Sequence, residues 1–295
     1  MVTAIVTPFD EMGSPDLPAM SALLEFQLEC GVDAIFALGT SGEGLLLSEY
    51  ERRTIAEAVV EWVDGRVPVV IHCGTVDTRS AVALAEHATL IGASAVSSIG
   101  PLFHSYSETD LWNHFRQVSE ACAGTDFLVY ENPERVGYSL GIPFVLRLLR
   151  ELPGIVGVKD TGDSLSRLIA YLATVTDAKV FTGNNSLVLP ALMMGASGGV
   201  STIANVAPEL FAGIVHQHRK GDIEEAKRLQ FIAARLHAAL WGVPYIPAIK
   251  HLLAERGLPC GAPRQPSTAL SARNIQLVRE RLSVDEEMTE WLHAV

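Results

Sequence analysis

The sequence predicts an α/β fold, a closed (β/α)8 barrel with additional C-terminal helices. Short apolar runs alternate with longer stretches of helical spacing, and this unit occurs eight times before residue 221. Repeated strand–helix alternation is typical of a parallel sheet, and eight units favour a closed barrel over an open sheet. The chain of 295 residues is long enough for one such barrel and further helices.

The predicted strands are short runs of apolar residues, as buried parallel strands are. We place them at residues 4–7, 33–38, 67–72, 93–98, 127–130, 155–158, 179–182 and 198–201. Helical patterns follow at residues 20–29, 142–152, 165–174 and 187–194, and begin near Ser48, Asp77, Ser107 and Pro208. Each helix except the last, which begins near Pro208, therefore connects two neighbouring parallel strands.

Several of these helices begin with residues that favour a helix start. Ser48 with Glu51, and Ser107 with Asp110, have the spacing of a capping box. Pro208 suits the first turn of a helix, where its missing N–H group has no partner to lose. These signals locate helix starts more sharply than hydrophobic spacing does.

The pattern changes after Gly221, where helical spacing continues without strands. Asp222 caps the first of these helices, and a Pro/Gly-rich loop at residues 258–266 precedes two more. We therefore predict a barrel over residues 1–221 and a C-terminal helical region over residues 222–295. We expect this region to pack on the barrel rather than form a separate domain.

The composition argues against several classes of partner. Hydrophobic residues make up 48% of the chain and charged residues 19%, which indicates a soluble protein with a large core. The formal charge of −12 argues against nucleic acid or an anionic membrane as the main partner. The four cysteines have no metal-ligand spacing, and we find neither a signal-peptide pattern nor an apolar run of membrane-spanning length. We expect a cytoplasmic protein.

Lys159 is the candidate nucleophile. It directly follows the apolar run 155–158, whereas the other four lysines begin a strand or lie in or beside helical stretches. A lysine among apolar walls loses proton affinity, and its neutral amine can attack a carbonyl carbon to form a Schiff base. On the residues alone, a solvated lysine at a strand end is the alternative.

Other candidates come from the strand ends, because the site of a (β/α)8 barrel lies there. The second strand leads into Gly39, Thr40 and Ser41, whose N–H and hydroxyl groups suit a carboxylate or phosphate, although such clusters are often only turns. Tyr130 ends the fifth strand, where it is a proton relay or a rim aromatic. Arg135 follows it, either to hold a carboxylate or as a surface charge.

The eighth strand and the histidines complete the candidate set. Val200 lies among glycines that let the backbone approach a ligand, and we count it as a substrate contact. We expect His72 to point into the barrel as a hydrogen-bonded histidine. His216 and His218 share a helical stretch but face different directions, and no carboxylate cluster joins them. We expect no metal and no cofactor.

A series of short motifs extends along nearly the whole chain. They are Thr7-Pro8-Phe9, Gly39-Thr40-Ser41-Gly42-Glu43, Tyr130 with Pro133 and Gly137, Gly157-Val158-Lys159-Asp160, residues 195–201, Ala204-Asn205-Val206-Ala207-Pro208-Glu209, Pro247-Ala248-Ile249-Lys250 and Gly257-Leu258-Pro259. In order and spacing, they resemble the dihydrodipicolinate synthase / N-acetylneuraminate lyase family of class I, Schiff-base aldolases.

The resemblance implies a role for each matching residue. Lys159 would form a Schiff base with pyruvate, whose carboxylate would lie on the Thr40 and Ser41 groups beside Gly39. Thr40 would also belong to the catalytic set, with Lys159 and Tyr130. Tyr130 would carry protons during imine formation and during formation or cleavage of the carbon–carbon bond. The resemblance also implies a homotetramer built as a dimer of dimers.

Departures from the family pattern bear on the second substrate. Phe103, which we count as a substrate contact, stands where the synthases share a tyrosine with a neighbouring subunit, so that hydroxyl is absent. The Phe103 loop is expected near the neighbour. Arg135 matches the arginine that holds the distal carboxylate in the synthases. Glu131 replaces a usual asparagine, and Ser41 replaces a threonine.

We therefore expect an aldolase or lyase that joins or releases pyruvate and a small, carboxylated aldehyde or 2-oxo acid through Lys159. One alternative is dihydrodipicolinate synthase proper, which condenses pyruvate with aspartate semialdehyde. Another is a 2-keto-3-deoxy sugar acid dehydratase, which uses the same Schiff base to eliminate water. A third is a non-catalytic keto-acid-binding protein, against which the retained lysine, tyrosine and Thr-Ser pair argue.

Overall fold

A closed barrel of parallel strands forms the centre of the protein. The computed structural model describes residues 1–152 and 154–293. Within them the strands are β1 (Val2–Ala4), β2 (Ala34–Ala37), β3 (Val69–His72), β4 (Ala95–Ile99), β5 (Asp126–Glu131), β6 (Ile155–Asp160), β7 (Lys179–Thr182) and β8 (Gly198–Ser201). Each strand pairs with its sequence neighbours, and β8 pairs with β1 to close the barrel. The predicted fold class is confirmed.

Helices surround the strands and continue after them. Those between or directly after strands are α1 (Leu17–Glu29), α2 (Glu49–Val63), α3 (Thr78–Leu90), α4 (Glu108–Ala121), α5 (Pro133–Val136), α6 (Ile142–Glu151), α7 (Leu165–Thr174), α8 (Val188–Met193) and α9 (Pro208–Lys220). Beyond them lie α10 (Ile223–Ala239), α11 (Tyr245–Glu255), α12 (Ala272–Ser283) and α13 (Glu286–His293). In the described ranges, no helix combines the length and apolarity needed to span a membrane.

The predicted helix caps are confirmed. The Ser48 hydroxyl accepts from the Glu51 N–H group, and the Glu51 carboxylate accepts from the Ser48 N–H group. Ser107 and Asp110 make the same reciprocal pair at the start of α4. Pro208 lies in the first turn of α9. These local bonds satisfy N–H groups that have no partner within the helix.

The first strand lies earlier than predicted. We expected it at residues 4–7, but β1 is Val2–Ala4. The next residues are fully buried yet bond mainly to side chains and loops: the Val6 N–H group donates to Asn205 Oδ1, and the Thr7 hydroxyl donates to the Gly42 carbonyl. An apolar run reports burial, and burial does not require membership of a sheet.

Strands β5 and β6 are longer than predicted, which changes the setting of the lysine. Lys159 lies inside β6 rather than after it, and Tyr130 is its partner in β5. Because side chains alternate along a strand, the following pair, Glu131 and Asp160, points the opposite way. Tyr130 and Lys159 therefore face the barrel interior together.

The barrel interior is filled with side chains, so it is a packed core and not a pore. Its inward apolar cluster consists of Val2, Ala4, Ala34, Phe36, Val70, Ala95, Leu128 and Val200. A second, larger cluster fills the layer between strands and helices. Because the interior is filled, a ligand can bind only at an end of the barrel. In this fold the site lies at the C-terminal ends of the strands.

The C-terminal helices reach the barrel mouth. In α10, the Gln230 side chain accepts from the Leu189 N–H group and donates to the Asn185 carbonyl, both over 2.8 Å. These bonds join α10 to the segment after β7. As a result, His237 and Tyr245, from α10 and the start of α11, lie beside that segment and line the cavity that contains Lys159.

Candidate active site

Lys159 lies at the centre of the candidate site. It is 5% exposed, and its Nζ atom is 3.9 Å from the centre of the Tyr130 ring and 4.3 Å from that of Phe36. No carboxylate among the described residues pairs with it. Burial lowers the pKa of Lys159, an effect that Tyr130 opposes. A lowered pKa increases the fraction of neutral amine, the form that attacks a carbonyl carbon.

Lys250 is also buried, but its surroundings differ. It is 3% exposed, and its Nζ atom lies 2.8 Å from Glu43 Oε1 and 4.3 Å from the centre of the Phe9 ring. Burial lowers the pKa of Lys250, and the paired Glu43 carboxylate opposes this by favouring the ammonium form. A buried ion pair of this kind argues for a structural role.

Tyr130 is 2% exposed and lies in the same cluster of rings. Its ring meets those of His72 and Phe36 edge-on, with centres 5.6 and 6.2 Å apart. Its hydroxyl oxygen accepts a hydrogen bond of 2.8 Å from Asn132 Nδ2. Burial disfavours the phenolate, but the Lys159 charge and nearby hydroxyl and amide groups outweigh this and lower the pKa of Tyr130 to about 8.

The loop after β2 brings Thr40 and Ser41 to the site through a tightly folded backbone. A Cβ atom on Gly39 would lie 2.6 Å from the Phe36 ring, and one on Gly44 would lie 1.9 Å from the Leu38 carbonyl oxygen. The glycines are therefore needed for close packing. The Ser41 and Thr202 hydroxyls form a hydrogen bond that joins this loop to the end of β8.

Thr40, Ser41, Tyr130 and Lys159 line a cavity of about 340 Å³ at the C-terminal end of the barrel. A neighbouring cavity of about 240 Å³ shares Thr40, Arg135 and Ile246 with it. Leu45 and Leu46 contribute an apolar wall to the second cavity. The candidate site thus consists of two adjoining cavities, with Lys159 and Tyr130 in the larger of the two.

Most of the predicted site residues meet in the larger cavity. It is lined by Thr40, Ser41, Tyr130, Arg135, Lys159 and Val200. Gly39 lines the neighbouring cavity instead. Phe103 lines neither cavity in this chain; it is 85% exposed, with a φ angle of 87°.

Several lining residues were not predicted. They are Asn132, Thr161, Asp163, Asn184, Asn185, Thr202, His237 and Tyr245. Thr161 and Thr202 directly follow β6 and β8, so a systematic search of all strand ends would have found them. His237 and Tyr245 carry no sequence signal of their own, because only the packing of α10 and α11 brings them to the barrel mouth.

His72 points into the barrel, as predicted, but the hydrogen bond that we predicted for it is not found at its Nδ1 atom. That buried atom has no hydrogen-bond partner within the described residues. Burial, with the Arg52 and Lys159 charges, keeps the pKa of His72 well below its usual value, so the ring is neutral. Across residues 1–152 and 154–293, no group of three or more His, Cys, Asp or Glu side chains is arranged to hold a metal ion.

The chain has relatives among known proteins. The model of the dihydrodipicolinate synthetase family matches residues 1–284. An N-acetylneuraminate lyase of Rhizobium meliloti is 34% identical over 282 residues, covering 95% of this chain and 93% of the relative. A 4-hydroxy-tetrahydrodipicolinate synthase of Pelodictyon phaeoclathratiforme is 34% identical over 284 residues, covering 95% and 94%.

Solved structures agree with the sequence relatives. A prophage protein of the dihydrodipicolinic acid synthase family from E. coli K12, solved in complex with pyruvate, has a TM-score of 0.92 at 27% identity, covering 98% of this chain and 97% of its own. A dihydrodipicolinate synthase from Bacillus anthracis has a TM-score of 0.91 at 28% identity, covering 96% and 97%. The chain therefore belongs to the dihydrodipicolinate synthetase family and is a carbon–carbon lyase of that family.

Proposed function

We propose that the protein is a class I aldolase that joins or releases pyruvate through a Schiff base on Lys159. The observation that carries this proposal is a buried lysine without a carboxylate partner among the described residues, held against the ring of Tyr130. The pyruvate bound to the E. coli K12 relative supports the choice of keto acid.

The residues support a complete reaction sequence. The Lys159 amine adds to the keto carbon of pyruvate, and the carbinolamine loses water to give an iminium ion. The methyl carbon then loses a proton to form an enamine, which adds to the carbonyl carbon of an aldehyde. Tyr130 supplies the proton for the leaving hydroxyl group and for the new alkoxide. Hydrolysis of the imine frees Lys159, and cleavage follows the same path in reverse.

Thr40 and Ser41 are the proposed binding groups for the pyruvate carboxylate. Both line the cavity next to Lys159, and both lie in a Gly-rich loop whose N–H groups can approach an anion. In this arrangement, the carboxylate is held at one end and the keto carbon faces the amine. Val200 closes the same space from β8.

The second substrate is proposed to be a small aldehyde or 2-oxo acid that carries a carboxylate. Arg135 is exposed, lines both cavities and has no ion-pair partner among the described residues. A free guanidinium group at the junction of two cavities suits a bidentate contact with a carboxylate. The second substrate would lie between the enamine carbon and the Arg135 guanidinium group.

A dehydratase acting on 2-keto-3-deoxy sugar acids is the second candidate, and the polar side of the larger cavity favours it. Asn184, Asn185 and Tyr245 offer hydrogen-bonding groups there. The buried His237 Nδ1 atom has no hydrogen-bond partner within the described residues and can bond to a substrate hydroxyl. Release of pyruvate from such an acid indicates an aldolase, whereas loss of water without pyruvate indicates a dehydratase.

Two further alternatives are distinguishable by direct assay. Efficient turnover of aspartate semialdehyde with pyruvate would support dihydrodipicolinate synthase proper; the absence of a hydroxyl on Phe103 leads us to expect poor turnover. A keto-acid-binding protein without catalysis would bind pyruvate but cleave no 2-oxo acid. A panel of 2-oxo acids, with pyruvate release as the readout, addresses all of these assignments.

The proposed nucleophile is tested by trapping. Pyruvate with borohydride should add one reduced pyruvate unit to the protein, and peptide mass mapping should locate it on Lys159. Lys159→Met should abolish the adduct, while Lys179→Met, a change at an exposed lysine, should retain it. An adduct on Lys250, or an active protein that forms none, would contradict the proposed function.

A further inference from the structure

Asn132 occupies the N-cap position of α5 but does not act as a cap. An asparagine there commonly accepts a hydrogen bond from the first turn of the helix. Its side chain makes no such bond. It is only 6% exposed, and its Nδ2 atom donates to the Tyr130 hydroxyl oxygen over 2.8 Å. The amide group is therefore used for Tyr130 and not for the helix.

The direction of this hydrogen bond determines where the Tyr130 proton can go. A phenol has one proton to donate and lone pairs with which to accept. The amide nitrogen of Asn132 has protons but accepts none, so Tyr130 cannot donate to it. The Tyr130 proton must point to another neighbour. Lys159 and the Thr40 and Thr161 hydroxyls interact with the same phenol group, and all three residues line the cavity.

We propose that Asn132 is a positioning residue that directs the Tyr130 proton towards the substrate and stabilises the phenolate left when that proton is transferred. The inference rests on the proposed function, in which Tyr130 relays protons. In the dehydration step, the Tyr130 proton moves to the carbinolamine hydroxyl, which leaves as water, and a phenolate remains. That phenolate then takes a proton from the methyl carbon of the iminium ion, which restores the phenol and forms the enamine.

The electrostatic setting agrees with this role. The titratable groups that face Tyr130 are Lys159 from β6 and His72 from β3, and Arg135 lines the same cavity. Burial opposes the phenolate, yet the Lys159 charge and the nearby donors, including Asn132, lower the pKa of Tyr130 to about 8. An N–H donor to the phenol oxygen favours the charged form. His72 is neutral and adds no charge.

The first test measures ionisation of Tyr130 without any substrate. Ultraviolet titration of the wild-type protein should show one tyrosine ionising early, and Tyr130→Phe should remove it. Asn132→Leu removes the donor at similar volume and should raise the pKa of that tyrosine by about one unit or more. Asn132→Asp should also raise it, because a carboxylate repels the phenolate and accepts the phenol proton.

The second test measures enamine formation with pyruvate alone. In deuterium oxide, each cycle of enamine formation and reprotonation exchanges a methyl proton of pyruvate, which proton NMR follows. Asn132→Leu should slow this exchange about tenfold or more. It should cause little further loss in a Tyr130→Phe background, because both changes act through one hydroxyl group. Asn113→Leu, on the exposed surface of α4, should leave the rate unchanged.

The outcomes separate the two proposals. A wild-type protein that neither exchanges deuterium nor forms a borohydride adduct would overturn the proposed function. Normal exchange and an unchanged tyrosine titration in Asn132→Leu would overturn only the role of Asn132. If the leucine variant fails to fold, Asn132→Asp has nearly the same size, and wild-type behaviour in that variant would equally overturn the inference.

Discussion

Lys159 and Lys250 acquire different roles from their neighbours. Both side chains are buried against aromatic rings, at 4.3 Å from Phe36 and from Phe9, respectively. Lys250 has a carboxylate partner, Glu43, and Lys159 has a phenol. Burial lowers the pKa of both lysines; the Glu43 carboxylate opposes this at Lys250, and the Tyr130 phenol, with a pKa of about 8, opposes it at Lys159. Lysine chemistry at Lys159 therefore depends on the residue opposite it in β5.

Arg135 offers a test of the second substrate at the same scale. Arg135→Ala should lower kcat/KM for a carboxylated substrate roughly ten- to a hundredfold, because a charge-assisted hydrogen bond contributes about 1.5–3 kcal/mol. The pyruvate adduct on Lys159 should form as before. Arg135→Lys keeps the charge but loses the bidentate fork, so its kcat/KM should lie between that of the wild type and that of Arg135→Ala. A kcat/KM value unchanged by Arg135→Ala, measured with the true substrate, would show that Arg135 faces solvent and does not bind the substrate.

Helix α7 supports the strands that carry Tyr130 and Lys159 from outside the barrel. Arg167 lies 3.1 Å from Glu131 in β5 and 3.0 Å from Asp160 in β6, and both carboxylates are 1% exposed. Tyr171, one turn further along α7, donates to Asp160 over 3.1 Å. Each carboxylate directly follows a member of the Tyr130–Lys159 pair. The ion-pair network thus joins the strands at the point where their relative position matters for chemistry.

Removal of Arg167 should destabilise the fold. Arg167→Leu would leave two buried carboxylates without their cation and should cost about 3–5 kcal/mol in the free energy of unfolding, measured with urea near neutral pH. Arg116→Leu, which breaks an exposed pair with Glu120, should cost at most about 1 kcal/mol. Equal, small losses in both variants would argue against a structural role for the network.

The pH dependence of this loss follows from Glu131. Burial raises the pKa of Glu131 even with Arg167 present. A carboxyl group whose folded-state pKa is raised binds protons more readily in the folded state, so its ionisation destabilises the fold as pH rises and protonation relieves this as pH falls. The difference between Arg167→Leu and the wild type should therefore shrink between about pH 7 and about pH 5. A difference that grew on acidification would contradict this assignment.

For the whole molecule, we propose the homotetramer that the family resemblance implies. The single chain leaves the Phe103 ring 85% exposed on a backbone with a φ angle of 87°. Such a conformation costs a non-glycine residue on the order of 1–3 kcal/mol, so surrounding contacts must maintain it. Light scattering should give the mass of four chains, and Phe103→Asp should reduce it.

A matched substitution separates interface effects from general ones. Leu90, at the end of α3, is 84% exposed, and Leu90→Asp should leave the assembly intact. A monomeric wild-type protein at working concentration would contradict the tetramer. So would a Phe103→Asp variant that keeps the full mass.

The sequence by itself determined the barrel, the helix caps and the centre of the site. Strand–helix alternation reports which segments are buried, and strand ends of a barrel converge, so Lys159, Tyr130, Thr40 and Ser41 could be placed together before any coordinates. Strand bounds were less secure: β1 lies two residues earlier than predicted. A local pattern measures burial and period, and neither specifies which backbone groups pair.

The tertiary structure alone decided which side chains surround that centre. Asn132 turns from its helix to Tyr130, Lys250 meets Glu43 across the fold, and His237 and Tyr245 arrive from helices beyond the barrel. None of these contacts has a periodic signal, because each depends on strand register around a closed barrel and on how the late helices dock. Local physics selects the elements, and only their packing brings distant polar groups within hydrogen-bonding distance.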